Sequence, residues 1–439
     1  MRKSGWLIGA VVMGGLLWAA PVSASVVGLP AWDVVRSPNP DERSELKGIA
    51  RVAPGHVWAV GASGNSSLTA RWNGSAFVAV PSPQVNDKAR VLEDVGGIAA
   101  NDVWAVGHSD RLDAVGSRTL IIHWNGSRWA KMASPSLGDT GHVNVLSGLA
   151  AISADDAWAV GWVSGTGPGS INRALTLHWD GAAWTSVNNQ CGPFLREVFA
   201  LSSSNVWAVG GNSTCQWNGS SWTRRPAAPH SNPNVSIDLQ DVTATGPGNV
   251  WAVGYGSTSC GEGICFTGVI ERWNGTVWSF RSVGESLYGV DARSPSDIYA
   301  VGLGQGPAVL HYDGADWERV PVPNPIPVGR LLAVDAAANG IWAAGWQVQN
   351  GRIRTLAERA PSPNSGAVVG STGVGNATVS WSGPEDGSVT SDQTGRYSVG
   401  GLRSGTYTFV ATSPGCAPKS KPIVITSGTT KSLSLQITC

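Results

Sequence analysis

The sequence predicts an all-β chain: a seven-bladed β-propeller closed by its own N-terminal strand, followed by a small β-sandwich. Three observations carry this. A heptapeptide built on one aromatic recurs seven times, as "GHVWAVG" (55–61), "NDVWAVG" (101–107), "DDAWAVG" (155–161), "SNVWAVG" (204–210), "GNVWAVG" (248–254), "SDIYAVG" (296–302) and "NGIWAAG" (339–345). Its aromatics, Trp58, Trp104, Trp158, Trp207, Trp251, Tyr299 and Trp342, are spaced 46, 54, 49, 44, 48 and 43 residues apart, the period of four-stranded propeller blades. After Pro361 the repeat stops, and short alternating strands broken by glycine turns take over.

From the N-terminus, Arg2 and Lys3 precede an apolar run from Trp6 to Ala20 and the small-residue stretch "PVSAS". Residues 1–24 read as a Sec signal peptide, with an apolar region too short to span a bilayer and cleavage after Ala24. A secreted, extracellular protein is expected, with no membrane insertion after cleavage. Removing Arg2 and Lys3 leaves 28 basic against 30 acidic residues, a formal charge of −2. Charged residues make up only 14% of the chain, so no basic footprint for nucleic acid or anionic lipid exists. All six cysteines lie in the exported part, an even number that suits disulfides.

The propeller occupies 31–361. Each blade opens with a strand carrying Leu and an apolar residue three later (Leu92/Val95, Leu239/Val242). A short turn leads to the heptapeptide strand. A third strand ends in "HWNG" or a close variant, and a fourth begins with another aromatic. Asn-Gly between two apolar runs predicts a two-residue type I′ hairpin, which requires positive φ at both positions. Two further aromatic sets emerge: Trp72, Trp124, Trp179, Trp217, Trp273 and Tyr312 before the hairpin; Phe77, Trp129, Trp184, Trp222, Trp278 and Trp317 after it. The last blade lacks both, with Arg359 in place of the pre-hairpin ring and Glu358 beside it. Its missing outer strand matches "AWDVVRSPNP" (31–40), with Trp32 in register. Ring closure removes exposed strand edges. Of the 22 Trp, 17 occupy these repeated positions, and a ring present once per blade belongs where blades pack. The propeller resembles secreted bacterial seven-bladed propellers of the broad kelch/WD-like class, although "VWAVG…HWNGxxW" has neither the paired glycines of kelch nor the GH…WD pattern of WD repeats.

Residues 362–375 read as a Ser/Gly-rich linker. The stretch "SDQTGRYSVGGLRSGTYTFVATSPGC" (391–416) then aligns Asp392, Gly395, Tyr397, Leu402, Gly405, Tyr407 and Gly415 with the signature of the carboxypeptidase regulatory-like domain, which 376–439 resembles. That resemblance implies a small β-sandwich, a carbohydrate-binding-like or adhesion-type module, and no catalytic residues. Tyr397 and Tyr407 are expected in its core; Trp381 fits either core or ligand contact.

Chemistry is sparse. His123, His178 and His311 share one repeat position with Arg71, Gln216, Arg272 and Glu358, an interchange that points to structure. No spacing suits a metal, and no phosphate loop or nucleophile elbow appears, so no cofactor is expected. Lys47, Glu93, Arg196, Glu197, Gln240, Asp241, Tyr288, Asp291 and Asp335 sit early in first strands, nearest the axis. Paired carboxylates there would suit a hydrolase or lyase, although mixed charges at a channel mouth usually pair. Loops after the second and fourth strands vary in length and share one face, where binding residues concentrate.

The residue after each "AVG" differs between blades: Ala62, His108, Trp162, Gly211, Tyr255, Leu303 and Trp346. Aromatics in some blades only suit a ligand. Trp162, Trp346, Tyr255, His108, Asn172 and Gln347 are the candidate glycan-binding residues, the bland reading being that these rings pack under their own loops. A monomer recognising glycan is expected, with a cell-surface protein as the alternative partner. The expected disulfides are Cys191–Cys215, Cys260–Cys265 and Cys416–Cys439.

Overall fold

The structure, a computed structural model, describes residues 32–439 except 84–86, 113–114, 139–140, 166–171, 227, 229–233, 262, 323–327, 362–364, 385 and 427–428. The expected signal peptide (1–24) lies outside the described residues, as do parts of the long loops.

Seven four-stranded antiparallel sheets form the propeller, six of them in chain order from the inner strand outwards. Blade one runs Ser44–Ala53, His56–Ser63, Ser66–Trp72 and Phe77–Ala79. Blade seven takes three strands, Gly329–Ala337, Gly340–Gln349 and Arg352–Pro361, from one end of the propeller segment and its outer strand, Asp33–Val35, from the other. That outer strand pairs Asp33 with Arg359, Val34 with Glu358 and Val35 with Ala357.

The cores lie between blades. Trp58 of blade one packs on Trp124 and Trp129 of blade two, at 4.9 and 5.0 Å between ring centroids. The same triad recurs as Trp104 with Trp179 and Trp184, Trp158 with Trp217 and Trp222, Trp207 with Trp273 and Trp278, and Trp251 with Tyr312 and Trp317. Trp342 closes the circle on Trp72 and Phe77. At the sixth interface Tyr299, Trp32 and Ala360 share one buried cluster, so the N-terminal strand supplies a ring its blade otherwise lacks. Each indole buries roughly 150–250 Å², and truncating one costs about 3–5 kcal/mol.

The glycine of "AVG" has its own cause. In six blades the inner strand shifts register just after its Leu, as between Leu46 and Gly48. This bulge drives a backbone carbonyl at the facing glycine: a Cβ on Gly61 would lie 2.1 Å from the Glu45 carbonyl oxygen. It also re-aims the extra residue (Lys47, Glu93, Ser147, Gln240, Tyr288, Leu332).

Three expectations need correction. The "WNG" loops are four residues long, not two: Trp72 pairs with Phe77. Asn73 does not adopt positive φ; only Gly74 does, at 99°. The Asn73 carboxamide oxygen instead accepts the amides of Ser75 and Ala76, at 3.0 and 2.9 Å, an acceptor role that Asp180 and Asp313 fill equally well. In blade seven, Trp342 faces Arg359 as Trp104 faces His123. Arg359 therefore holds the His position and Ala360 the ring position, one residue on from the sequence alignment. Finally, the stretch expected as a linker, 362–375, contains a strand, Ser365–Ser371, between Arg396–Arg403 and Thr430–Ser434. Its apolar centre, "AVV", pairs along its length, and Val368 is buried.

The sandwich packs this three-stranded sheet on a four-stranded one around Val379, Tyr397, Tyr407 and Phe409. Trp381 belongs to that core, stacked on Phe409 at 5.6 Å. Its far edge approaches blade one, where a Cβ on Gly55 would lie 3.4 Å away, and a Cβ on Gly74 would lie 2.7 Å from Val389 and the Ser398 carbonyl. The contact falls on the short-turn face of the propeller.

Cys191–Cys215, Cys260–Cys265 and Cys416–Cys439 are bonded, as suits an oxidising, extracellular environment. Cys260 and Cys265 staple the tip of a hairpin whose strands are Asn249–Cys260 and Gly263–Trp273.

Deleting residues 25–40 should expose the edge of Arg352–Pro361 and remove Trp32 from its cluster, lowering the melting temperature sharply or causing aggregation. A truncated protein as stable as the full chain, measured by calorimetry, would place closure elsewhere.

Candidate functional site

The bulged residues converge on the axis and line a funnel of about 540 Å³ that opens on the variable-loop face. Lys47, Glu93, Arg196, Gln240 and Tyr288 form its wall, with His108, Trp162 and Tyr255 from the second strands. Three of the six candidate residues thus meet in one cavity. Trp346 lies beside it, 5.0 Å from the guanidinium carbon of Arg330, which does line it. Asn172 stands exposed opposite Ser164, and Gln347 pairs with Gly329; neither lines the funnel.

Charges at the mouth are mostly matched. Lys47 donates to Glu93 at 2.9 Å. Burial lowers the Lys47 pKa, but Glu93 and Glu45 outweigh it and the net shift is upward. His108 sits 3.7 Å from the second Glu93 oxygen, yet burial pushes its pKa down, favouring a neutral imidazole at pH 7. Arg196 and the Tyr255 hydroxyl both donate to Asp238 at 3.2 Å, and burial and Asp238 together raise the Tyr255 pKa.

Deeper in the channel lies a second layer, Asp94, Glu197, Asp241, Asp291 and Asp335. These carboxylates staple blades together. Asp94 and Glu197 both accept the Leu149 amide, at 2.9 and 3.2 Å. Asp241 accepts Val290, Asp291 accepts Ala336 and Asp335 accepts Arg51, each at 2.7 Å. Burial raises all five pKa values, with Asp291 pushed up to about 7. The shared-position His residues are likewise structural: His123, His178 and His311 bond Asp102, Asp156 and Asp297 at 2.8–2.9 Å, and their rings lie over Trp104, Trp158 and Tyr299. Among the described residues no His/Cys/Asp/Glu group is arranged to hold a metal.

Sequence reasoning missed Arg330 and Asp238. Both precede the Leu of an inner strand, and each lies directly across from a residue that was singled out, Arg330 from Trp346 and Asp238 from Tyr255. Cross-strand neighbours on one face share a site, so the signal was present in the register.

Residues 365–438 match the carboxypeptidase regulatory-like domain. The chain is a β-propeller followed by that domain. The propeller is similar to YCF48 bound to D1 peptide, with a TM-score of 0.50 at 16% identity, covering 76% of this chain and 99% of that one. It is also similar to YCF48 from Cyanidioschyzon merolae (TM-score 0.48, 15% identity, 75% and 98% covered) and to the GH74 xyloglucanase from Xanthomonas campestris (0.46, 12%, 74% and 55%). These likenesses concern the fold. No curated protein matches the chain in sequence.

The axial acids set the pH dependence. Unfolded, they ionise near pH 4; folded, they hold their protons to higher pH. The folded state therefore binds more protons across that window, and stability is lost as pH rises through it. Glu271 and Glu358, raised by burial to about 7 and about 8, act in the same sense. His56, lowered to about 4 by burial and Arg71, acts oppositely, but only below about pH 6.5. The melting temperature should fall between pH 6.5 and 8, and less steeply in Asp291→Asn. A flat or rising profile would mean the acids are ionised in the fold.

Proposed function

We propose that the protein is an extracellular, non-catalytic recognition protein that binds glycan on the variable-loop face of the propeller. The observation that carries this reading is the funnel: a concave site with the Trp162 and Tyr255 rings beside side chains that hydrogen-bond. Sugars present apolar faces edged with hydroxyls, which such rings stack on and such polar groups bond. The axial position also suits a ligand read by several blades at once.

The axial carboxylates support recognition over hydrolysis. Glycoside cleavage needs a protonated acid and an ionised partner facing the same bond. Here each deep acid already accepts a backbone amide from an adjacent blade, and Glu93 is tied to Lys47.

A protein partner is the second reading. It is favoured by Ile264 and Phe266, 66% and 58% exposed on the stapled hairpin of blade five, since exposed apolar rings commonly anchor protein contacts. The C-terminal domain adds a second candidate binding module.

In a glycan array the protein should bind a discrete set of structures without turning them over. The double variant Trp162→Ala/Trp346→Ala should keep its melting temperature within a few degrees and lose affinity tenfold or more, about 1.4 kcal/mol. Undiminished binding in a folded double variant places the site elsewhere.

A further inference from the structure

An unbroken line of rings and one cation crosses blades five, six and seven on the variable-loop face. Phe266, on the stapled hairpin, meets Tyr255 edge-on at 5.8 Å. Tyr255 meets Tyr288 at 5.8 Å. The Arg330 guanidinium carbon then lies 5.2 Å from the Tyr288 ring centroid and 5.0 Å from that of Trp346. The line begins at an exposed tip, follows the funnel wall through Tyr255, Tyr288 and Arg330, and ends beside the funnel at Trp346.

Arg330 differs from the other cations there. Lys47 is matched by Glu93 and Arg196 by Asp238. Arg330 has no carboxylate within ion-pair distance among the described residues, and its Nε is buried without an acceptor. The aromatic contacts offset some of the cost of desolvating a guanidinium, but they engage its faces and leave N–H donors at its edge unused. An unmatched, partly desolvated cation with a free donor edge is a receptor for an anion, and a guanidinium edge fits a carboxylate through two parallel hydrogen bonds.

We propose that Arg330 binds the carboxylate of an acidic sugar, so that the glycan recognised is a linear, uronic-acid-containing chain laid along Phe266, Tyr255, Tyr288 and Trp346. This rests on the glycan reading above and adds the class of sugar and the residue that selects it. The two rings flanking Arg330, Tyr288 and Trp346, and Tyr255 beyond Tyr288 offer stacking surfaces for its sugar residue and the next ones, and Phe266 extends the line outwards, so affinity should grow with chain length.

The test is calorimetric titration of the full chain with oligomers of galacturonate and of glucuronate, and with the same oligomers after reduction of their carboxyl groups to alcohols. The wild type should bind at least one acidic series at least tenfold more tightly than its reduced counterpart. Arg330→Gln should abolish that preference while still binding the reduced oligomer as the wild type does, and Arg330→Lys should retain part of it. Should Arg330→Gln fail to fold, the wild-type comparison and Arg330→Lys still decide. Equal binding of acidic and reduced oligomers by the wild type overturns the proposal and leaves the glycan reading standing. The same holds if Arg330→Gln keeps the preference. Failure to bind either series while neutral glycans bind on an array overturns only the acidic subsite, whereas no binding to any glycan overturns both.

Discussion

Every blade interface in this propeller is a wedge that widens outwards, and the structure depends on filling it. Sheets set radially touch near the axis and diverge beyond it, because each is rotated about the axis against its neighbour. The chain meets this with one ring from the second strand of a blade inserted between two rings of the next. The arrangement is directional, since the heptapeptide ring always looks forward to the following blade. Seven steps return to blade one, where Trp342 meets Trp72 and Phe77; at the sixth, Tyr299 packs with Trp32 and Ala360 in place of a second ring. Small residues beside the ring, such as Ala59 and Ala105, keep the sheet thin enough for the rings to reach across.

Nearer the axis the blades are too close for rings, and polar groups take over. The inner strand is the axial edge of its sheet, with no strand beyond it to pair with its outward amides, and the acids of the channel accept them from the adjacent blade. The close approach is written into the sequence as complementary sizes: Asp94 faces Gly48, and Glu197 faces Gly148, where a Cβ would collide with the neighbouring acid. Burying these acids raises their pKa values, a cost the fold accepts because an unsatisfied buried amide is also costly. Carboxylates committed in this way are scaffold. The groups left to meet a ligand are those above them, at the funnel mouth.

How much of this was legible in the sequence follows from the range of each interaction. The period, the three ring sets and the N-terminal strand of blade seven were readable because they repeat, and repetition turns a long-range contact into a local pattern. The two propeller disulfides were readable because the blade frame placed each pair on one face, and Cys416–Cys439 because it ties down the end of the sandwich. The bulge was not, since a one-residue register shift leaves no mark in composition. The loops after "W" misled for a related reason: Asn-Gly is shared by two turn types, and only φ at Asn73 separates them. Ser365–Ser371 looked like a linker because its glycines and serines outnumber its apolar centre, and its partners lie 25 to 63 residues further on. Trp162, Tyr255 and Trp346 stood out as exceptions to the repeat. Arg330 could be joined to Trp346 through the strand register, but Tyr288 could be joined to Tyr255 and Arg330 only through contacts across blades.

The two faces of the ring then have different fates. Short turns hold one face flat, and there the sandwich approaches through Val389, Ser398 and the edge of Trp381, against glycines whose missing side chains make room. The opposite face carries the long loops and the funnel, and its residues vary from blade to blade because no neighbour constrains them. With the C-terminal domain seated on the short-turn side, the funnel stays open, and the two modules do not compete for one surface. A chain built this way spends its repeated residues on rigidity and its unrepeated ones on selectivity. That division is why the site must be sought among departures from the repeat: the axial acids, regular in role, hold blades together, while Arg330, with no carboxylate partner among the described residues, lines the funnel.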